Sequence, residues 1–177
     1  MSEKLKTEIF EWIKVFALAI VFAFIITQFI KPTLVRGDSM YSTLEEGDYL
    51  IINRMSYKFK EPERGDIIVF ESDLKQDDGS SKDLVKRVIG VGGDKVKIEN
   101  NKVYVNNEEL NEPYIHNEIT EGDIDTVVPD GAVFVLGDNR EISLDSRYDS
   151  VGFISKSDIL GKVFVRLYPF NKIGLLD

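Results

Sequence analysis

Two residue types that together perform nucleophilic chemistry, a serine and a lysine, lie in contrasting parts of this sequence. Ser39 is in the polar segment RGDSMYSTL, shortly after the uncharged apolar stretch 15–30, and Lys86 is inside the apolar run LVKRVIG. A serine hydroxyl becomes a good nucleophile when a neighbouring base takes its proton, and a lysine that has lost its charge can be that base. The two residues therefore indicate serine nucleophile chemistry with lysine, rather than histidine, as the base.

The surroundings of Lys86 favour a neutral amine if the run is a strand. A strand places Leu84, Lys86 and Val88 on one face, so that two apolar residues flank the cation. Burial disfavours the ammonium form and so prepares a lysine to act as a general base. The alternative, more common for such a strand taken alone, is that Lys86 and Arg87 are edge charges that point to water and prevent aggregation.

Ser39 follows Gly37 and Asp38, which predict a turn that exposes its hydroxyl. Backbone N–H groups in such a turn could stabilise an oxyanion. The alternative is a serine that only caps a turn.

A third segment, GDNREISLDSR at 137–147, follows the apolar run AVFVL directly. It is too polar for a strand, so its side chains should lie at a rim or a site. Asp145 and Arg147 could pair, and Ser143 could hydrogen-bond an amine. The alternative is a polar turn held by a salt bridge.

Composition excludes several classes of function. The net charge of −9 argues against nucleic acid as a partner. There are no cysteines, so disulfides, thiolate catalysis and Cys-ligated zinc are excluded. His116 is the single histidine, so a Ser-His-Asp triad would have to use it and multi-histidine metal sites are impossible. We expect neither a metal nor another cofactor.

The amino-terminal segment predicts a membrane anchor. Extended back to Trp12, the apolar stretch covers 12–30, about 28 Å of helix, which approaches the thickness of a bilayer core if Lys14 reaches the interface. A buried core helix and a cleaved signal peptide are the alternatives. No small-x-small site ends the run, which favours an uncleaved anchor. The lysines before it slightly outnumber the basic residues after it, which favours a cytoplasmic amino terminus.

The rest of the chain predicts a mainly β domain. Short runs of branched and aromatic residues follow Gly or Gly-Asp, as in YLII, IIVF, KVKI, AVFVL and KVFVRLY. Asn100-Asn101 indicates a tight hairpin turn, and 72–82 reads as a polar, mobile loop. We expect a partly closed antiparallel sheet after one transmembrane helix.

The anchor followed by GDSMYSTL, KRVIGVGGD and GDNREISLDSR, in this order, resembles the bacterial type I signal peptidases of Gram-positive bacteria. The resemblance covers essentially the whole chain. It implies an antiparallel β-rich catalytic domain with a small inserted β region at about 95–130. By position it implies roles for the following residues: Ser39 as nucleophile, Lys86 as general base, Ser143 as the hydroxyl that orients the lysine, Asp145 and Arg147 as a supporting ion pair, Gly137 as a glycine lining the site, and Met40 beside a pocket for small side chains.

Three positions depart from the common pattern of that family. Ser42 replaces a usual proline, at a typical cost of about 0.4–1 kcal/mol without loss of a catalytic group. Gly92 also stands where a proline is common. Gly37 stands where some members carry a hydroxyl residue, which leaves the oxyanion hole to backbone N–H groups.

The resemblance implies a membrane-anchored serine endopeptidase that cleaves signal peptides from exported preproteins. We expect residues 1–31 to form the cytoplasmic amino terminus and anchor, and 32–177 to lie outside the cytoplasmic membrane. The substrate should bind as an added strand near Asp83, Leu84 and Val85. Expected partners are preproteins and the lipid bilayer, and contact with secretion machinery is open. The alternatives are a Ser-Lys autoprotease of the repressor type, which would need a DNA-binding module in place of the anchor, and a catalytically weak membrane-bound interaction protein.

Overall fold

A computed structural model describes residues 3–76, 78–115 and 119–176. Its first element is the helix α1, Glu3–Phe29. The part from Lys6 to Phe29 is long and apolar enough to cross a membrane. The rest of the chain does not bury its apolar residues. The helix begins earlier than the predicted segment 12–30 and ends one residue sooner. Pro32 explains that end, because proline disfavours helical backbone in the residue before it.

The remaining elements are almost all strands, and the predicted β-rich class is confirmed. In chain order they are β1 Ile30–Leu34, β2 Tyr49–Asn53, the short helix α2 Ser56–Phe59, β3 Ile67–Lys75, β4 Ser81–Val91, β5 Lys95–Glu99, β6 Lys102–Val105, β7 Glu108–Glu109, β8 Ile124–Val127, β9 Ala132–Leu136, β10 Ile154–Ser155, β11 Ile159–Tyr168 and β12 Gly174–Leu175, with 3₁₀ turns at Lys156–Asp158 and Phe170–Lys172.

The larger sheet contains the strands that carry the predicted motifs. Its order is β1-β2-β11-β3-β4-β9-β10, with β12 paired to β11, and the paired strands are antiparallel. Leu50 and Ile52 of β2 alternate with more exposed neighbours and pack with Val163 of β11 in one core cluster. This alternation is the pattern expected of strands with one buried face.

A smaller sheet, in the order β7-β6-β5-β8, lies within the stretch 95–127. Val96 and Ile98 of β5 share a core cluster with Phe134 and Leu136 of β9, so the small sheet packs against the large one. The predicted hairpin turn is present, because Asn100 and Asn101 have φ values of 51° and 63°. Asparagine tolerates this left-handed backbone better than most residues.

The structure corrects the prediction of a long polar loop at 72–82. β3 continues to Lys75 and β4 begins at Ser81, so the two strands form a longer hairpin. Ser72 pairs with Lys82, and the Ser72 hydroxyl donates to the Lys82 carbonyl at 2.7 Å. Backbone pairing continues there although the side chains are polar, because ladder hydrogen bonds join main-chain groups.

The two halves of β4 have different neighbours. Residues 82–87 pair with β3, whereas pairing with β9 starts at Arg87 and runs to Val91. Among the described residues, the stretch 83–86 therefore has a paired strand on one side only. On its other side no strand of the described part of the chain pairs with this stretch, although β4 lies in the interior of the sheet. We call this side of residues 83–86 the free edge of β4.

Candidate active site

Ser39 and Lys86 are in direct contact. The Lys86 Nζ donates to the Ser39 Oγ at 2.5 Å, although the two residues are 47 positions apart in the chain. Ser39 lies in the turn between β1 and β2, and Lys86 lies on β4 at the end of its free edge. Once the amine is neutral, the same contact allows it to accept the hydroxyl proton.

Lys86 is buried, with 2% of its surface exposed. This burial lowers the pKa of Lys86 to about 8, an effect that Lys82 and Arg147 reinforce and that Asp145 and Asp138 oppose. The alternative in which Lys86 and Arg87 are water-facing edge charges is wrong, because Arg87 is only 5% exposed.

Backbone contacts hold the Ser39 turn against the polar segment after β9. The Ser39 carbonyl accepts a hydrogen bond from Asn139 N at 3.1 Å, and Tyr41 N donates to the Asp38 carbonyl at 3.0 Å. Gly37 has a φ of +79°, a conformation that glycine adopts without the penalty other residues have. The Ser39 turn is therefore supported by main-chain bonds on both sides.

Asp145 and Arg147 form an ion pair in that polar segment. The Arg147 Nε donates to the Asp145 Oδ1 at 2.8 Å, and Nη2 donates to Oδ2 at 3.1 Å. The second carboxylate oxygen also accepts from Gly137 N at 3.0 Å. The segment is thus both a turn held by a salt bridge and a wall of the site.

Gly137 permits close packing between Ser143 and the Ser39 backbone. A Cβ at this position would collide with the Ser143 side chain and with the Ser39 carbonyl. Ser143 is 2% exposed, and its Oγ has no hydrogen-bond partner among the described residues. The bond from Ser143 to the lysine amine is therefore not formed in this structure. The orienting role of Ser143 stays a prediction.

Two buried arginines were not recognised as site residues from the sequence. Arg87 Nε and Nη2 donate to Asp138 at 2.9 and 2.8 Å, and Thr43 donates to the same carboxylate at 2.5 Å. Arg140 pairs with Glu112. The apolar neighbours of Arg87 in LVKRVIG could have indicated that its side chain is buried. A buried guanidinium requires a buried carboxylate, so the same signal would have predicted an ion pair at this position.

A cleft of about 590 Å³ runs past Ser39 and Lys86. Both residues line it, together with Asp83, Leu84 and Val85 of the free edge. Other lining residues belong to β1 and the turn after it, and include Thr33, Leu34, Arg36 and Gly37.

Met40 is not among the residues that line this cleft. It is 1% exposed and packs in one core cluster with Leu44 and with Val35, which does line the cleft. The place of Met40 beside a pocket for small side chains stays a prediction. In the turn, only Ser39 of the two adjacent residues faces the cleft.

No group of three or more His, Asp or Glu side chains that could hold a metal ion occurs among residues 3–76, 78–115 and 119–176. His116 lies outside these described residues.

Comparison with known proteins decides the family. The family model described as "Signal peptidase, peptidase S26" matches residues 9–168. The chain belongs to the signal peptidase family. Signal peptidase IB of Staphylococcus aureus (strain COL) is 40% identical to it over 187 aligned positions, which cover 95% of this chain and 94% of the relative. Signal peptidase I of Bacillus licheniformis is 36% identical, with coverage of 99% and 97%.

A signal peptidase I crystal structure from Enterococcus faecalis is 33% identical to this peptidase, with a TM-score of 0.48, and the match covers 58% of this chain and 97% of that one. The family and the curated relatives make this chain a type I signal peptidase, a hydrolase of the serine endopeptidase class.

Proposed function

We propose that this peptidase removes signal peptides from exported preproteins with Ser39 as nucleophile and Lys86 as general base. The observation that carries the proposal is the 2.5 Å contact between the two side chains at the wall of an open cleft. The low pKa of Lys86, about 8, supports it, because part of the amine is then neutral near physiological pH. Family membership supports the substrate class.

The free edge of β4 supports a binding mode for the substrate. Residues 83–86 pair with β3 on one side, and their other side faces the cleft. An extended peptide that hydrogen-bonds to this edge becomes an added strand, a common mode of peptide recognition. Because side chains alternate along a strand, the first and third residues before the cut would face the same wall. Shallow pockets in this wall would favour small side chains there.

The reaction then follows from the geometry of the dyad. Lys86 takes the Ser39 proton, Ser39 Oγ attacks the scissile carbonyl, and the bond to the leaving amine breaks as the lysine returns the proton to it. Backbone N–H groups of the Ser39 turn stabilise the oxyanion. A water molecule, deprotonated by the same lysine, attacks the acyl-enzyme and restores the free Ser39 hydroxyl.

The division of the chain is also part of the proposal. Residues 1–31 would form the cytoplasmic amino terminus and single membrane anchor, and 32–177 the extracytoplasmic catalytic domain, with an inserted region at about 95–130. The unburied apolar surface of α1 supports the anchor, since such a surface requires an apolar environment.

Cleavage of a purified preprotein by wild type and by Ser39→Ala tests the proposal. We expect the variant to lose nearly all turnover, and Lys86→Ala and Lys86→Arg to do the same, because a guanidinium stays protonated. The double variant of Ser39→Ala and Lys86→Ala should be little worse than either single one. Ser157→Ala, an exposed serine outside the cleft, is the matched control. Substantial activity of Lys86→Arg would contradict a lysine base.

A further inference from the structure

The turn at 111–115 contacts the active-site segment from the side of the small sheet. Ile115 N donates to the Glu112 carbonyl at 3.2 Å and closes the turn. The Glu112 side chain is 7% exposed, and the Arg140 side chain paired with it is 0% exposed. Removal of either side chain would leave the other, a buried charge, without this contact to a charge of opposite sign, which is strongly destabilising.

Glu112 is connected to the nucleophile turn through Arg140. The Glu112 carboxylate accepts from Arg140 Nη2 at 2.5 Å and from Nη1 at 3.1 Å. At the other end of the same planar group, Arg140 Nε donates to the Gly137 carbonyl at 2.9 Å. A bidentate pair of this kind holds a guanidinium in one orientation. Gly137 in turn packs against the Ser39 backbone, which also bonds Asn139 N.

Tyr114 is connected to the lysine strand through Arg87. The Cζ atom of Arg87 lies 3.9 Å from the centre of the Tyr114 ring, a distance typical of a cation–π contact. The Tyr114 hydroxyl donates to Glu112 at 2.9 Å, so one turn holds both arginines. Arg87 directly follows Lys86 on β4 and is fixed on its other side by Asp138.

We propose that Glu112 and Tyr114 are positioning residues for the dyad: through Arg140 and Arg87 they hold the Ser39 backbone and the Lys86 strand at the separation that proton transfer requires. This inference rests on the proposed function, because it assigns them to the same reaction. Neither residue lines the substrate cleft. Their loss should therefore lower kcat and leave KM almost unchanged.

The test compares kcat and KM for cleavage of a signal-peptide substrate by the full-length peptidase and its variants. We expect Glu112→Ala and Tyr114→Leu each to lower kcat by about tenfold to a hundredfold, the range caused by misplacement of reacting groups, with KM within about twofold. Tyr114→Phe, which keeps the ring on Arg87, and Glu112→Gln, which keeps an oxygen acceptor for Arg140, should recover a large part of kcat. Glu109→Ala, in an exposed ion pair of the same small sheet, is the matched control and should behave as wild type.

Thermal unfolding of each variant separates positioning from folding. If Glu112→Ala does not fold, the comparison of Tyr114→Leu with Tyr114→Phe carries the test. A folded Tyr114→Leu or Glu112→Ala with wild-type kcat would overturn the inference, as would a rise in KM at unchanged kcat or a loss equal to the unfolded fraction. Failure of the proposed function has a different signature, because wild type itself would then not cleave the substrate.

Discussion

Lys86 combines two properties, burial and direct contact with a serine hydroxyl. Its exposed fraction is 2%, and the same burial lowers its pKa to about 8. The nearby carboxylate of Asp145 opposes this effect, so the amine remains ionisable near neutral pH and is not permanently neutral. At the scale of single residues, the lowered pKa of Lys86 is therefore produced by its environment, and its titration should be visible in both activity and stability.

The pH dependence of kcat/KM should report the ionisation of Lys86 in the free peptidase. The protonated amine cannot accept a proton, so kcat/KM should rise about tenfold per pH unit below the pKa and level off above it. The inflection is expected at about pH 8. His116→Ala should leave the inflection in place. An inflection that disappears in His116→Ala would instead indicate a histidine base.

Lys86 should also lower the stability of the fold. Its pKa falls from the ordinary lysine value of 10.5 to about 8, so the unfolded chain binds more protons than the folded one between these values and stability rises with pH there. Below about pH 8 the cost of the buried charge is present in full, up to roughly 3 kcal/mol by the usual conversion. Lys86→Met should therefore raise the free energy of unfolding at pH 7 in urea titrations.

The gain in Lys86→Met should shrink as the pH is raised towards 10.5, because the wild-type lysine is then neutral when folded. Lys102→Met, an exposed lysine of the small sheet, serves as control and should show no comparable gain. A Lys86→Met variant that is less stable than wild type at pH 7 would contradict the assignment of burial as the main cause of the low pKa.

At the scale of elements, the site depends on close contact between the Ser39 turn and the segment after β9. Asn139 N bonds the Ser39 carbonyl, and Gly137 N bonds Asp145. Gly137 has no side chain, so its backbone lies directly against Ser143 and Ser39. The two segments can approach this closely only because of the glycine.

Gly137→Ala should disturb both activity and stability. The added Cβ would overlap the Ser143 side chain and the Ser39 carbonyl, so the Ser39 turn must shift. Overpacking of this kind typically costs about 1–3 kcal/mol, and the displaced nucleophile should lower kcat about tenfold or more. Urea titration and preprotein cleavage measure the two effects. Gly174→Ala is the matched control, because its Cβ would meet no atom within 4 Å. Equal behaviour of the two variants would contradict the close-packing argument.

At the scale of the whole molecule, the apolar helix α1 and the larger sheet are joined without a long linker. Phe29 ends the helix and Ile30 begins β1, and the Phe29 carbonyl accepts from Arg54 N at 2.9 Å. The sheet therefore starts at the end of the proposed membrane span. If α1 spans the membrane as proposed, the cleft, which residues of β1 help to line, would lie close to the bilayer, where a signal peptide would be presented.

The topology can be tested on intact cells from which the wall has been removed. We expect added proteinase to digest the domain 32–177, because it should lie outside the cytoplasmic membrane, and to leave a fragment containing α1. The anchor should stay on the mature protein. A catalytic domain that is protected in intact cells but digested after lysis would contradict secretory processing by this chain.

The sequence by itself determined the chemical groups and the class of the fold. The apolar helix and the alternating strand runs are local patterns, and such patterns reflect helix and strand periodicity directly. Ser39 and Lys86 were singled out by the segments in which they lie. The hairpin turn at Asn100-Asn101 was predicted for the same reason and is present. The anchor and the order of the three motifs after it carried the family resemblance, which the comparisons confirm.

Only the tertiary structure decided how distant segments meet. The contact between Ser39 and Lys86 depends on the register of β4 and on the turn after β1, which no local pattern contains. Met40 is buried, and the Ser143 hydroxyl has no hydrogen-bond partner among the described residues, because packing across two elements sets burial and hydrogen bonding. The pairing of Glu112 with Arg140 joins residues 28 positions apart, and it forms because a buried guanidinium needs a carboxylate that only the folded chain brings within reach.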